Sequence, residues 1–281
     1  MYFNSKNNFF HGLMFHYFHD DLFHKKSQGS ISSDDFYKII NFVGKENIID
    51  ANIFFEKFKN KKLKNNEICI TFDDAVKSQI DIALPVLQDL KIKSFFFVPT
   101  SIFDKAPNNL ELFRYFRTNY FENINKFYKE FYKFLDEDLN LFFKKNDKKI
   151  KSLKIKFPHY SLEDIKFRLV RDIFLNQNKY EKLIFLMIKD KKFNYKEIYP
   201  KLFFSHSDIR KLDGLGHLIG LHSHNQPSLI EKLSYADQKF QYVKNINVLS
   251  KILNKPKKEI KYVSHPSGSY NKDTLKILND L

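Results

Sequence analysis

Two short apolar runs separated by a helical pattern constrain the fold more than any other feature of the sequence. The runs are residues 67–72 and 93–98, and apolar residues recur between them at helical spacing, at Ile80, Ala83, Leu84, Leu87 and Leu90. A strand, a helix and a strand in this order form a βαβ unit with parallel strands. The sequence therefore predicts an α/β fold, in which Pro85 kinks the intervening helix or shifts its first turn.

Polar side chains follow two of the predicted strands at the point where each strand ends. Asp73 and Asp74 come directly after the first run, and His222 follows a further apolar run, residues 218–221. Loops at the carboxyl ends of parallel strands line the ligand crevice of α/β folds. Carboxylates and an imidazole at such a place suit a metal-dependent hydrolase. A structural turn at Asp73–Asp74 and a structural buried histidine at position 222 are the alternative interpretations.

The composition predicts a folded protein of a reducing compartment. The chain has 281 residues, 43% of them hydrophobic, and Cys69 is its single cysteine. No signal peptide and no membrane span are predicted, so we expect a cytoplasmic protein. The net charge of +15 comes mainly from lysines that serve as default surface residues. Nucleic acid is therefore not the expected partner, although a basic nucleic-acid-binding protein stays a remote alternative.

The texture of the sequence predicts three parts. Residues 1–100 and 205–281 carry the α/β pattern, and the latter ends with a predicted strand at 260–263 and a helix from about Lys272. Residues 101–204 are rich in Lys and Phe, and no glycine occurs between Gly44 and Gly214. Aromatic and charged residues alternate there at helical spacing, as in the stripe that begins at Phe127. We interpret this middle part as a mostly helical insertion.

Three segments, in order, resemble the motifs of the polysaccharide deacetylases, carbohydrate esterases with a NodB-homology domain. Residues 71–75 resemble the motif T-F-D-D-G, with Ala75 in place of glycine. Residues 222–227 resemble H-[ST]-x-x-H-P, with Gln226 in place of the second histidine, and residues 264–271 resemble a segment that ends P-x-G-x-Y-N. The resemblance covers residues 1–100 and 201–281. It implies a distorted, incomplete (β/α) barrel, similar to a TIM barrel, with its motifs on one rim.

The resemblance also implies the roles of the site residues. The implied cofactor is a divalent metal, zinc in a weakened site. The implied general base is Asp73, the metal ligands are Asp74, His222 and Gln226, and the substrate-binding residues are His265, Pro266 and Ser267. The implied reaction is removal of an N-acyl group, such as acetyl, from a sugar, a nucleotide sugar or a glycan precursor.

Two departures from the family pattern bear on activity. An amide oxygen at Gln226 is a poorer zinc ligand than an imidazole. His224 is a possible substitute, but it follows His222 by two positions and not four, and in a helical turn this spacing places it on a different face. The family continues with a further strand and a late histidine, the general acid, so the resemblance implies a C-terminally truncated chain. A catalytically impaired carbohydrate-binding relative is therefore the alternative function.

Overall fold

The computed structural model describes residues 11–104, 109–158, 160–227 and 229–281. The chain forms two units, one of residues 1–108 and 199–281 and the other of residues 109–198. The first unit contains the strands of the described chain, which are β1 His11–Phe15, β2 Ile68–Phe72, β3 Phe95–Val98 and β4 Leu218–Leu221.

The four strands form one parallel sheet in the order β1-β2-β3-β4. The predicted α/β class, with parallel β2 and β3, is thus confirmed. Among the described residues the sheet is open, which agrees with the expected incomplete barrel, and its strands do not close into a TIM-like barrel.

Helices account for most of the remaining structure. The helices of the first unit are α1 Ser33–Val43, α2 Ala51–Lys59, α3 Leu84–Asp89, α11 His206–Gly214, α12 Tyr235–Leu253 and α13 Lys272–Asn279. Those of the second unit are α4 Leu110–Asn119, α5 Ile124–Leu135, α6 Asn140–Lys145, α7 Asp147–Lys156, α8 Leu162–Leu169, α9 Gln177–Asp190 and α10 Tyr195–Ile198. No helix in the described part of the chain has both the length and the apolar character that crossing a bilayer requires.

Aromatic side chains fill the core of the first unit. All four residues of β3 are buried, as their continuous apolar character predicts for a sheet covered on both faces. The rings of Phe72 and Phe96, on neighbouring strands, stack with centroids 4.6 Å apart. Phe36 of α1 meets Phe72 edge-on. This packing fixes β2 in the core of the first unit and therefore fixes the point at which β2 ends.

Local signals set the ends of the helices around the sheet. Ser32 caps α1 in a reciprocal capping box with Asp35. Pro85 lies in the first turn of α3, and a wide π-helical turn, Gln79–Ala83, precedes it. Proline lacks an N–H and fits only the first turn of an α-helix, so the regular helix begins later than its apolar pattern does.

The second unit is helical, with an aromatic core of its own. Phe127 and Phe131 of α5 are buried and contact the ring of Phe167, with centroids 5.5 and 5.0 Å away. The buried side of α5 is the side on which its aromatic residues recur, because residues three and four apart share one face of a helix.

The predicted strand at residues 260–263 is wrong. The segment contributes only an isolated bridge between Val263 and Leu221, which adds two backbone hydrogen bonds, Leu221 N to Tyr262 O and Ser264 N to Leu221 O. The Ser264 carbonyl, which would continue the pairing, accepts instead from Nδ1 of His222 at 2.9 Å. A side chain of the site thus takes the place of the next ladder hydrogen bond.

Candidate active site

The acidic pair lies where β2 ends, on strongly curved backbone. Asp74 and Ala75 both have positive φ, 75° and 53°. Glycine adopts this left-handed region freely, whereas another residue there costs about 1 kcal/mol or more. The backbone geometry explains why the family motif has glycine where this chain has Ala75.

A buried glutamine holds the ends of β1 and β2 together. Nε2 of Gln79 donates to the carbonyl of Asp73 at 2.6 Å and to the carbonyl of His16 at 2.9 Å. Phe15 and Phe72 are partners in the parallel register, so His16 and Asp73 leave the sheet at the same level. The site therefore has contributions from three strand ends, those of β1, β2 and β4.

Asp74 and His222 face each other across the centre of the site. Oδ1 of Asp74 lies 3.3 Å from Nε2 of His222. Nδ1 of His222 must carry a proton, because its partner is the Ser264 carbonyl, which only accepts. In the neutral ring the Nε2 lone pair would point at a carboxylate oxygen, so a proton or a cation must lie between the two atoms.

This arrangement fits a divalent metal ion. Two ligands held about 2.0–2.1 Å from a tetrahedral zinc ion are roughly 3.3–3.4 Å apart, the separation found between Asp74 and His222. A backbone partner on the far nitrogen is also the usual way in which a metal-binding histidine is oriented. Within the described chain no group of three His, Cys, Asp or Glu side chains is arranged to hold a metal, so a third protein ligand would have to be of another kind.

Gln226 is beside the same carboxylate. Its Nε2 donates to Oδ1 of Asp74, the oxygen that also faces His222. Gln226, the predicted third ligand, thus lies beside Asp74 and presents its amide nitrogen to the carboxylate. Rotation of the amide would present Oε1, a neutral oxygen donor, to a bound cation.

The surroundings of the two carboxylates shift their pKa values in opposite directions. Burial raises the pKa of Asp73, and the positive charge of His222 and the Ser264 hydroxyl offset this only in part. Burial also acts to raise the pKa of Asp74, but its hydrogen bond with His222 and the charges of His222 and His16 outweigh burial, so that pKa is lowered. Asp74 is the carboxylate suited to hold a cation, and Asp73 is suited to exchange a proton.

The carboxylates of the site and burial shift the pKa of His222 in opposite directions. Burial lowers the pKa of His222, but the hydrogen bond with Asp74 and the charges of Asp73 and Asp74 outweigh it, so that the pKa is raised. In the metal-free protein the proton that must separate Nε2 from Asp74 is therefore held tightly. A metal ion would displace it.

Asp73 has one oxygen anchored and one free among the described residues. Oδ2 accepts from the Ser264 hydroxyl at 2.9 Å, whereas Oδ1 is buried without a hydrogen-bond partner. Buried polar atoms of this kind are rare and occur where a ligand or water belongs. Ser264 thus bridges the two halves of the site, since its hydroxyl holds Asp73 and its carbonyl holds His222.

His224 lies outside the site. Its Nδ1 is 2.9 Å from the Thr100 hydroxyl and its Nε2 is 3.0 Å from Oδ2 of Asp104. Both ring nitrogens are therefore occupied by other side chains, and His224 cannot replace the histidine that is missing at position 226.

Helix α12 supports the loop that carries His222, a role that none of the sequence motifs predicts. Oδ1 of Asn245 accepts from the backbone N–H of His222 at 3.0 Å. Oε1 of Gln241 accepts from the N–H groups of His224 and Asn225 at 3.1 and 2.7 Å. The available signal was the presence of two amide side chains four positions apart on the apolar face of a helix.

The three predicted substrate-binding residues directly follow Ser264 in the chain. His265 is half-buried and its Nδ1 lies 2.9 Å from the hydroxyl of Tyr242. Burial and the charge of His222 lower the pKa of His265, which favours its neutral form. Pro266 is buried and Ser267 is exposed, with a positive φ of 54°. Their roles stay predictions.

His16 is the residue whose place our sequence reasoning missed. It follows β1 directly, and its Nε2 lies 3.8 Å from Oδ2 of Asp74, whereas His222 faces Oδ1. Its side chain is 31% exposed, so a substrate could reach it. The signal was a histidine at the end of the first strand, which becomes meaningful only once β1 is known to pair with β2.

Comparison with known proteins bears on the family resemblance and the fold. Residues 174–281 match the polysaccharide deacetylase family. The resemblance seen in the motifs is thus confirmed. A search of curated proteins found no significant match.

Solved deacetylase structures share the fold over nearly the whole chain. Streptococcus pyogenes deacetylase PplD in complex with acetate covers 96% of this chain, with 79% of its own chain aligned, at 15% identity and a TM-score of 0.52. The de-N-acetylase from Aggregatibacter actinomycetemcomitans has the same coverage of this chain and 84% of its own, at 10% identity and a TM-score of 0.54. IcaB from Ammonifex degensii covers 96% and 79%, at 14% identity and a TM-score of 0.51. At these identities the likeness to the three deacetylases establishes the fold.

Proposed function

We propose that the protein is a metal-dependent deacetylase that removes an N-acyl group, acetyl above all, from a sugar or glycan. The observation that carries the proposal is the 3.3 Å approach of Asp74 Oδ1 to His222 Nε2, beside a buried, unpartnered oxygen of Asp73. Asp74 and His222 would hold the divalent ion, zinc above all, with Oε1 of Gln226 as the third ligand. When bound, such an ion supplies a water of lowered pKa and polarises the acyl oxygen.

The residues of this chain would manage the protons of the reaction. Oδ1 of Asp73 is free to take the proton of the attacking water, and the Ser264 hydroxyl keeps the carboxylate aimed at the centre. The raised pKa of Asp73 suits a general base at neutral pH. The water oxygen bonds to the acyl carbon as the C–N bond breaks.

His16 would protonate the departing amine. It faces the second oxygen of Asp74, across the carboxylate from His222, and it is exposed enough to meet a substrate. A protonated His16 would give its proton to the nitrogen, and Asp73 would keep the proton taken from the water. The carboxylic acid product would release its remaining water proton to solvent, which leaves a free amine and a carboxylate, and transfer of a proton from Asp73 to His16 through solvent would restore both side chains. His16 would thus supply the general acid that the resemblance had assigned to a later histidine.

The second candidate is a carbohydrate-binding relative without activity. It is favoured by the Gln226 amide, whose nitrogen and not oxygen faces Asp74. Metal content and acetate release separate the two functions.

The experiment loads the purified protein with Zn²⁺ or Mn²⁺, measures bound metal and follows acetate release from N-acetylated oligosaccharides. Asp74→Ala should lose both metal and turnover. His16→Gln should keep the metal and slow turnover about 100-fold, because general acid catalysis contributes about 10²–10⁴. Asp34→Asn, an exposed carboxylate of α1, is the matched control and should change neither. Wild-type protein that binds metal without releasing acetate would support the binding relative; protein that binds neither metal nor sugar would refute both.

A further inference from the structure

An exposed aromatic ring stands next to the candidate active site. Tyr270 is 53% exposed, and one face of its ring is covered by His265, with centroids 4.8 Å apart and planes 22° from parallel. Other aromatic residues of this unit are also exposed, Phe42, Phe58 and Phe240 among them, but Tyr270 lies on the chain segment that also carries Ser264. A tyrosine with one face on a neighbour and much of its remaining surface in solvent calls for an explanation of its own.

The ring that backs Tyr270 is fixed from below. His265 accepts or donates a 2.9 Å hydrogen bond at Nδ1 with the hydroxyl of Tyr242, and the two rings are perpendicular. Tyr242 is fully buried in α12. Tyr270 therefore rests on a support that is anchored in the core.

The backbone on both sides of Tyr270 is also fixed. The Ser269 hydroxyl accepts from the N–H of Glu231 at 3.3 Å, and Nδ2 of Asn271 donates to the carbonyl of Glu231 at 2.9 Å. Asn271 also caps α13 by accepting from the N–H of Thr274. A ring held in this way loses little conformational freedom on binding, which favours a binding role.

The stack is joined to the reacting centre by a single peptide. His265 directly follows Ser264, which holds Asp73 through its hydroxyl and His222 through its carbonyl. A sugar placed with its acyl group at Asp73 would leave the rest of a glycan chain to run over neighbouring surface. The His265–Tyr270 stack is an aromatic surface on the chain segment that continues from Ser264.

We propose that the exposed face of Tyr270, backed by His265, binds the apolar face of a sugar ring that adjoins the ring being deacetylated. Pyranose rings present C–H groups on one face, and aromatic faces in binding sites take such apolar surfaces while nearby polar groups set orientation. This inference rests on the proposed function, and it makes Tyr270 a residue that distinguishes oligosaccharides from single sugars.

The test measures binding separately from turnover. The full chain, kept metal-free with a chelator, is titrated calorimetrically with a β-linked tetramer of N-acetylglucosamine and with the monomer. Wild-type protein should bind the tetramer about tenfold more tightly than the monomer, since one aromatic contact is worth about this much. Tyr270→Ala should lose this preference, whereas Tyr270→Phe should keep it because the ring face remains.

Tyr235→Ala is the matched control, because Tyr235 is a partly exposed tyrosine of the same unit, at the start of α12. It should leave the tetramer preference unchanged. The proposal is overturned if Tyr270→Ala binds the tetramer as wild type does, if Tyr270→Phe fails like Tyr270→Ala, or if wild type has no tetramer preference. Acetate release that is indifferent to Tyr270 would leave the deacetylase proposal standing without the subsite. Tyr270-dependent binding without acetate release would leave the subsite standing and remove the deacetylase.

Discussion

The two ends of β4 carry histidines that are equally buried and chemically opposite. His217 precedes the strand and is 1% exposed, and His222 follows it and is 3% exposed. Nδ1 of His217 accepts from the backbone N–H of Ser94 at 3.0 Å, so the proton of its neutral ring is on Nε2. Nδ1 of His222 donates to a carbonyl, which leaves Nε2 to face Asp74.

The pKa values diverge in the same way. Burial, and then the charge of Lys93, lower the pKa of His217 to about 4. At His222 the carboxylates outweigh the same effect of burial, and the pKa is raised. Burial alone therefore says little about the role of a histidine. What distinguishes the two is the presence of carboxylates, which gather at the carboxyl ends of the strands.

The largest expected effect is the loss of zinc binding and acetate release on substitution of His222, but not of His217. His222→Gln should weaken zinc binding by more than about 100-fold, because loss of even an outer partner of a metal ligand costs 10–100-fold. Acetate release should fall with it. His217→Gln, the matched change at the other end, should leave both unchanged when measured at pH 7.5. Equal losses in the two variants would contradict the distinction between the two ends.

The next effect is acid destabilisation from His217. Its folded-state pKa of about 4 lies below the ordinary value of 6.5, so its contribution is fully present above pH 6.5 and is lost as the pH falls toward 4. The shift corresponds to about 3 kcal/mol in the free energy of unfolding. Urea denaturation across this pH range measures it. In His217→Gln the pH dependence should be shallower by about that amount, and an unchanged slope would refute this assignment.

A smaller gain is expected from restoring the family's ligand. Gln226→His should raise zinc affinity about tenfold, roughly 1.4 kcal/mol, since an imidazole is a better zinc ligand than an amide. Asn225→His adds the same ring at an exposed neighbouring position and should give no gain. Competition with a chromophoric chelator reports both affinities. A gain in the control alone would place the metal elsewhere.

The smallest expected effect is a shift of the pKa of His222 toward that of His217. In metal-free Asp74→Asn protein, the pKa of His222 should fall, because its hydrogen bond with a charged partner is gone and burial then acts with less opposition. The pKa of His217 should not move. NMR titration of the two imidazoles measures this, and a His222 pKa that stays raised would mean that Asp74 is not its cause.

Local sequence signals were sufficient for the elements that frame the site. The βαβ pattern placed Asp73 and Asp74 at a strand end. The N-caps of α11 and α12 are Ser205 and Ser234, and serine is a residue type that favours this position. These features depend on neighbours within a few residues, so a single sequence reveals them.

The missed features all depend on contacts between distant parts of the chain. His16 lies at the site because β1 pairs with β2 in parallel register. Ser264 lies there because its hydroxyl donates to Asp73, 191 positions away in the sequence. The error at residues 260–263 has the same origin, because a short apolar run can lie beside a sheet without joining it. Periodicity reports which face of an element is buried, but not which partner covers it.

One missing methyl group keeps the two halves of the site in contact. A Cβ at Gly220 would lie 2.6 Å from the Phe97 ring and 2.9 Å from the carbonyl of Tyr262. Only hydrogen at this position lets the segment that carries Ser264 approach β4 so closely. The distance between Asp73 and His222 therefore depends on Gly220, a residue with no reactive group. A larger side chain at Gly220 would push the segment that carries Ser264 away from β4. The site would then be disturbed although none of its polar groups had been changed.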